Sequence, residues 1–242
     1  MKILAVIPAR YNSQRLPGKP LALIGSKPMI QRVYEGTKQC EFFNKVIVAT
    51  DDDRIKECVE SFEGVAMLTD TNHSNGTERV AEVAQRFPEA DIIVNIQGDQ
   101  PFITSDILTE LIHPYLNNQM PDMVTLACPL NEELDYTNPN VVKVICSTSN
   151  KALYFSRAAI PYYRTKLEAP VYQHLGLYAF TREFLLKYVR LEPTPLEQCE
   201  GLEQLRALEH GYNIVVRIIK ESIMEINTPE DLVRTELKKK FI

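Results

Sequence analysis

The chain has 242 residues, of which 45% are apolar and 24% charged, and its formal net charge is −5. That length suits one large domain, or one domain with a lobe. The acidic balance disfavours a general nucleic-acid binder, which carries a basic surplus. No run reaches the roughly eighteen apolar residues that span a bilayer, and residues 1–9 read as a core strand rather than an export signal. Neither nucleic acid nor membrane is therefore expected as a partner. The five cysteines (Cys40, Cys58, Cys128, Cys146 and Cys199) are scattered and form no CxxC pair. They read as reduced, buried, structural thiols, and the expected location is cytoplasmic.

In chain order, an apolar strand over 3–7 breaks at Pro8 and feeds a loop carrying Arg10, Arg15, Gly18 and Lys19. A helix is predicted over 28–39, with Pro28 at its first helical position. A strand follows at 45–50, then a helix over 53–61 behind an Asp-rich cap, then a strand at 65–68. In 77–87, Val80, Val83, Ala84 and Phe87 repeat at i, i+3, i+4, i+7 and predict a helix. The run 91–96 is a further strand. The strands are apolar on both faces, and a βαβαβ alternation predicts an α/β fold with a doubly wound, mostly parallel sheet whose ligands sit at the carboxyl ends of its strands. Strands at 122–128, 141–147 and 174–180, around a tyrosine- and proline-bearing stretch at 151–172, read as an inserted β-rich lobe. A helix near 197–210, a strand at 213–219 and a helix from Thr228 to about Lys240 return to the α/β pattern. The expected organisation is a single domain over 1–242: a nucleotide-binding half at 1–120, a lobe at about 121–195, and a return to the core at 196–242.

Three segments at strand ends carry the chemistry. The Arg10–Lys19 loop offers three cations after a parallel-type strand, which suits a nucleoside triphosphate; the alternative is a solvated basic turn. It lacks GxxxxGK[ST], so it is not a Walker loop. In His73–Arg79, Gly76 permits close ligand approach and a helix N-terminus presents N–H groups. Arg79 lies in the first helical turn, where a cation is unfavourable, which points to another duty such as an anion or base contact. In Gln97–Pro101, Asp99 stands beside Gly98 after a strand, well placed to ligate Mg²⁺; the alternative is a turn cap. The lobe adds Arg157, His174 and Tyr178, and beyond it Glu203 and Gln204, residue types suited to an acidic, hydroxyl-rich ligand, though each alone is more often structural. Tyr154 and Phe155 read as core. Arg206 could simply support its helix through Glu203 or Glu209, and Lys238–Lys240 reads as a solvated helix end.

Taken together, IPARYNSQRLPGKPL, VATDD, SNGTERVAE, VNIQGDQP, ALYFSRAAIP, HLGLYAF, LEQLRALE and NTPEDL resemble the 3-deoxy-manno-octulosonate cytidylyltransferase family, from residue 3 to about 235. The resemblance implies a cytoplasmic, Mg²⁺-dependent, homodimeric nucleotidyltransferase. It would join CTP and the sugar acid Kdo into CMP-Kdo and diphosphate for lipopolysaccharide biosynthesis. It further implies that Arg10, Arg15 and Lys19 bind the CTP phosphates and act with Asp99 in catalysis. Ala9, Ser74, Gly76, Arg79 and Gln97 would also contact the nucleotide. Asp99 would hold the metal, and Arg157, His174, Tyr178, Glu203 and Gln204 would line the sugar pocket.

One departure concerns the closing motif. The family reads VDTPEDL, with its Asp a second metal ligand, whereas here Asn227 stands in that place. Asn offers one neutral oxygen instead of a carboxylate. On an extended segment Glu225 would point to the same side and could compensate. Two other readings follow from the residues: a cytidylyltransferase for a related acidic sugar, and a nucleotide-binding relative weakened by Asn227.

Overall fold

The computed structural model describes residues 1–12, 16–130, 133–165 and 170–233. Arg15, and the helix expected beyond residue 233 with its Lys238–Lys240 end, lie outside the described residues. The chain divides into two compact units, one made of Met1–Thr109 with Ile223–Ile242, the other of Glu110–Ser222. The second unit thus extends on both sides of the 121–195 lobe drawn from sequence.

In the first unit, the aliphatic run Ile3–Ala9 forms β1, buried along nearly its whole length. A 3₁₀ turn at Lys19–Leu21 and a small hairpin of β2 (Leu23–Ile24) and β3 (Lys27–Pro28) follow. Helix α1 (Met29–Lys38) then begins one residue later than expected. Pro28 is its N-cap, with φ −55° and ψ 148°, because it is still paired in the hairpin and its extended ψ cannot be helical. The alternation continues through β4 (Lys45–Thr50), α2 (Asp53–Ser61), β5 (Ala66–Leu68), α3 (Gly76–Gln85) and β6 (Ile92–Asn95). Asp52 caps α2 by accepting from the Arg54 amide at 3.0 Å, as the Asp-rich segment predicted. The four long-paired strands are all parallel, in the order β6-β1-β4-β5. The chain therefore winds from β1 outward through β4 and β5, then returns to place β6 on the other side of β1. The carboxyl ends of β1 and β6 flank that reversal, which is where open α/β sheets bind their ligands.

Helix α4 (Ser105–Leu116) crosses the boundary between the units. The second unit continues with β7 (Met123–Pro129), α5 (Glu133–Thr137), β8 (Lys143–Cys146), β9 (Ala152–Ser156), β10 (Tyr172–Thr181), α6 (Arg182–Tyr188), α7 (Pro195–Glu200), α8 (Gln204–Glu209) and β11 (Ile214–Ile218). Its strands pair β9-β8-β10-β7 antiparallel, with β11 parallel to β7. This is the β-rich part that the sequence foretold. The single helix expected over 197–210 is two: Gly201 adopts φ 62°, ψ 44° and ends α7, and α8 starts three residues on. Arg206 bonds to Glu197, through two bonds of 2.8 and 2.6 Å between buried side chains. Phe155 is core as expected, while Tyr154 is half-buried. All five cysteines are free; Cys40 and Cys128 are buried, but Cys199 is exposed on α7, contrary to the expectation of uniformly buried thiols. Among the described residues, no helix is long and apolar enough to cross a membrane.

Candidate functional site

The turn after β6 is held against the end of β1. A Cβ on Gly98 would stand 2.9 Å from the Pro8 carbonyl oxygen, so only glycine lets the two strand ends approach this closely. Asp99 follows directly. Its Oδ2 accepts a 2.7 Å bond from Lys19 Nζ, and the same ammonium donates to Asn227 Oδ1 at 3.2 Å. Both side chains of the Lys19–Asp99 pair are largely buried, at 13% and 23% exposure, so solvent screens the pair less than it would a surface bridge. The Ile226 amide donates to the Asp99 carbonyl at 3.0 Å, docking the 225–227 segment onto the turn. Glu225 sits beside it. Gln100 Nε2 donates to Glu225 Oε1 at 3.1 Å, and Asn227 Nδ2 donates to Glu225 Oε2 at 3.3 Å. Crowding by protein atoms, and then the charge of Asp99, push the Glu225 carboxyl above its ordinary value, although the residue keeps substantial solvent exposure.

The end of β1 is tied to the entry of α3. Ala9 is buried and paired with Thr50, so it can offer a ligand only its backbone. The Arg10 guanidinium donates to three successive carbonyls, those of His73, Ser74 (3.3 Å) and Asn75 (2.8 Å). Asn75 is the N-cap of α3, accepting from the Glu78 amide at 2.9 Å. The Glu78 carboxylate reaches back to the Ser74 amide and hydroxyl. Gly76 is the first residue of the helix. Arg79 faces inward: its side chain is fully buried, donating to Asp51 Oδ2 at 2.7 Å and to the Thr69 hydroxyl. A cation so placed in a first helical turn does have an anion, the Asp51 carboxylate at the β4 end. Gln97 is half-buried at the end of β6.

In the second unit, His174, Tyr178 and Gln204 form one buried network. Thr125 spends its hydroxyl hydrogen on the Leu177 carbonyl at 2.7 Å, so its oxygen accepts from His174 Nε2 at 2.9 Å. That fixes the Nε2–H tautomer and leaves Nδ1 to accept from Gln204 Nε2 at 3.5 Å, while Gln204 Oε1 accepts from the Tyr178 hydroxyl at 3.1 Å. Burial pushes His174 down to about 3, so the ring is neutral. Glu203 caps α8, and its carbonyl accepts from the Tyr188 hydroxyl at 2.7 Å. Arg157 stands apart from the His174 network. Its Nε donates to the Glu200 carbonyl at 2.7 Å, with further bonds to the carbonyls of Pro139 and Gly201, so it serves the negative end of α7. Lys143, unremarked in the sequence reading, is fully buried; its ammonium donates to the carbonyls of Asn138, Val141 and Arg157 at 2.6–2.9 Å. A lone lysine inside the apolar run VVKVIC was its signal, since a buried ammonium must be fully bonded. Asp51, at the end of VATDD, carried a comparable signal.

The first unit thus brings Lys19, Asp99 and Asn227 together and sets Arg10, Ser74 and Gly76 in one loop assembly. Asp99 and Asn227 supply hard oxygen donors that already converge on a cation, the Lys19 ammonium, and such a donor set fits Mg²⁺. Among the described residues no three His, Cys, Asp or Glu side chains converge. Mg²⁺ needs no such cage, since it commonly takes one or two carboxylates plus waters and phosphate oxygens.

A family model described as Cytidylyltransferase matches residues 4–222. A 3-deoxy-manno-octulosonate cytidylyltransferase from Acaryochloris marina is 55% identical, across 98% of this chain and 97% of that protein. One from Fusobacterium nucleatum is 44% identical, across 96% and 94%. Among solved structures, a CMP:2-keto-3-deoxy-manno-octonic acid synthetase complexed with CTP covers 100% of both chains with a TM-score of 0.95 at 39% identity. The 4-diphosphocytidyl-2C-methyl-D-erythritol synthase of Anaerococcus prevotii, at 15% identity and a TM-score of 0.64, shares the fold.

Proposed function

Because the chain belongs to the 3-deoxy-manno-octulosonate cytidylyltransferase family, we propose that it activates Kdo with CTP, giving CMP-Kdo and diphosphate. The anomeric hydroxyl oxygen of Kdo forms a bond to the α-phosphorus of CTP. The bond from that phosphorus to the bridging oxygen breaks, diphosphate leaves, and the hydroxyl proton passes to solvent. The observation that carries this reading is the Lys19–Asp99–Asn227 cluster at the point where the sheet reverses its winding.

Each residue's part follows from its contacts. Lys19 supplies a fixed positive charge to offset what develops on the departing diphosphate. Arg10 acts by locking the Ser74–Gly76 loop through its carbonyls, which presents the amides at the start of α3 to an anion. Arg15 and Gln97 complete the nucleotide contacts, and Arg79 keeps Asp51 and the β4 end in place from within. Asp99 and Asn227 would hold Mg²⁺, which would supply positive charge to offset that of the phosphates. His174, Tyr178, Glu203 and Gln204 are assigned to shaping the sugar site of the second unit, with Arg157 bracing the end of α7. A cytoplasmic location accords with the free cysteines. A homodimer is part of the same proposal, as the family resemblance implies; a monomer in sedimentation velocity would remove it. The product's use in lipopolysaccharide assembly follows from Kdo itself.

Diphosphate release tests the reading with Kdo and related acidic sugars competing for CTP. Kdo is expected to be preferred, and preference for another sugar would reassign the substrate.

A further inference from the structure

Asn227 is an amide between two opposite charges. Its Oδ1 accepts from the Lys19 ammonium at 3.2 Å, and its Nδ2 donates to Glu225 Oε2 at 3.3 Å. Rotating the amide by half a turn would set an NH₂ group against an ammonium and a carbonyl oxygen against a carboxylate, both repulsive. Glu225 is itself seated, because Gln100 Nε2 donates to its other oxygen at 3.1 Å. Gln100 is fully buried and follows Asp99 directly. The chain Gln100–Glu225–Asn227 therefore runs from the turn that carries Asp99 back to the same ammonium that Asp99 binds.

We propose that Glu225, seated by Gln100, is a positioning residue that turns the Asn227 amide so that its oxygen faces the cation position shared with Asp99. An aspartate at 227 would need no such device, because both of its oxygens are acceptors; an asparagine does, because only one of its two terminal atoms can meet a cation. A neutral side chain thereby supplies a ligand oxygen with a fixed orientation, as outer partners do for the groups that touch a metal. The inference rests on the reading that Asp99 and Asn227 hold Mg²⁺.

A double-mutant cycle tests it, using Mn²⁺ as the probe ion in the presence of CTP and reading free Mn²⁺ by electron paramagnetic resonance. In the native chain Glu225→Ala is expected to weaken Mn²⁺ binding about tenfold, in the range found for lost outer partners. Glu225→Gln, whose single oxygen cannot serve both Gln100 and Asn227, should give a smaller loss and guards against a variant that merely misfolds. In the Asn227→Asp background, where both oxygens of residue 227 accept, Glu225→Ala should cost clearly less, since only the charge and not the orientation is lost. An equal loss in both backgrounds would overturn the proposal, because it would make Glu225 a direct ligand or a structural prop. No loss in the native background would overturn it as well. Failure of the unaltered protein to bind Mn²⁺ would instead bring down the metal reading beneath it, a distinguishable result.

Discussion

Lys19 and Asp99 stand 80 positions apart, yet they form a charged contact of 2.7 Å. The sequence marks each as unusual by its place after a buried strand. It does not reveal that the cation and the carboxylate are partners, because that pairing is made in three dimensions between the 3₁₀ turn at Lys19 and the turn after β6. Arg79 and Arg157 illustrate the opposite limit. Both residues read as ligand contacts by type, and what their types do not reveal is the internal partners they have, Asp51 for one and the carbonyls around the end of α7 for the other. Asp99→Asn should lower kcat by about a hundredfold or more, roughly 2.7 kcal/mol of barrier. Diphosphate release with CTP and Kdo measures it, and unchanged turnover would remove Asp99 from the chemistry. His174 carries a pH prediction. Its pKa falls from 6.5 in the unfolded chain to about 3 in the folded one, so below pH 6.5 the unfolded chain takes up a proton that the folded chain refuses. Stability should therefore be retained above pH 6.5 and fall on acidification toward pH 3, with a His174 contribution of about 1.4 kcal/mol per pH unit. Urea midpoints between pH 4 and 7 should show a shallower slope in His174→Asn than in the native chain; parallel slopes would contradict the neutral, buried ring.

Helices α2 and α3 of the first unit are legible twice over, in periodicity and in their caps, and its long strands in their apolar runs, whereas the β2–β3 hairpin carries neither signal. The strand 45–50 and the helix 53–61 are found with those bounds, and Asn75 with Glu78 marks the start of α3. Helix α4 and helix α6 are not legible. Pro114 inside α4 reads as a stop, yet the helix runs two residues past it to Leu116. α6 is seven residues long, too short for its period to stand out. The break between α7 and α8 depends on one glycine, which a helical pattern tolerates on paper. Gly98 is the element-level joint of the site. Gly98→Ala would force a Cβ to within 2.9 Å of the Pro8 carbonyl, so the β1 and β6 ends must separate. The expected cost is about 1–3 kcal/mol of stability, with a raised KM for CTP. Urea unfolding and initial rates check both, and an alanine variant matching the native protein in each would show that the close approach is not needed.

At the scale of the whole chain, the α/β class and the parallel nucleotide-binding sheet follow from the βαβαβ alternation, and the βαβ connections leave few ways to wind it. The boundaries of the second unit were harder to read. It begins within α4 and takes in α7, α8 and β11, because contacts made in three dimensions and not breaks in composition define it. At Asn227 the closing segment loses the carboxylate of its family, and the structure turns that departure into a specific arrangement with Lys19 and Glu225. The measurement that bears most directly on the account is diphosphate release from CTP over a Mg²⁺ titration, with and without Kdo. Release that requires Kdo and rises with Mg²⁺ to saturation is the predicted result. CTP binding without Kdo-dependent release at any Mg²⁺ concentration would contradict the account and leave a nucleotide-binding protein that has lost its chemistry.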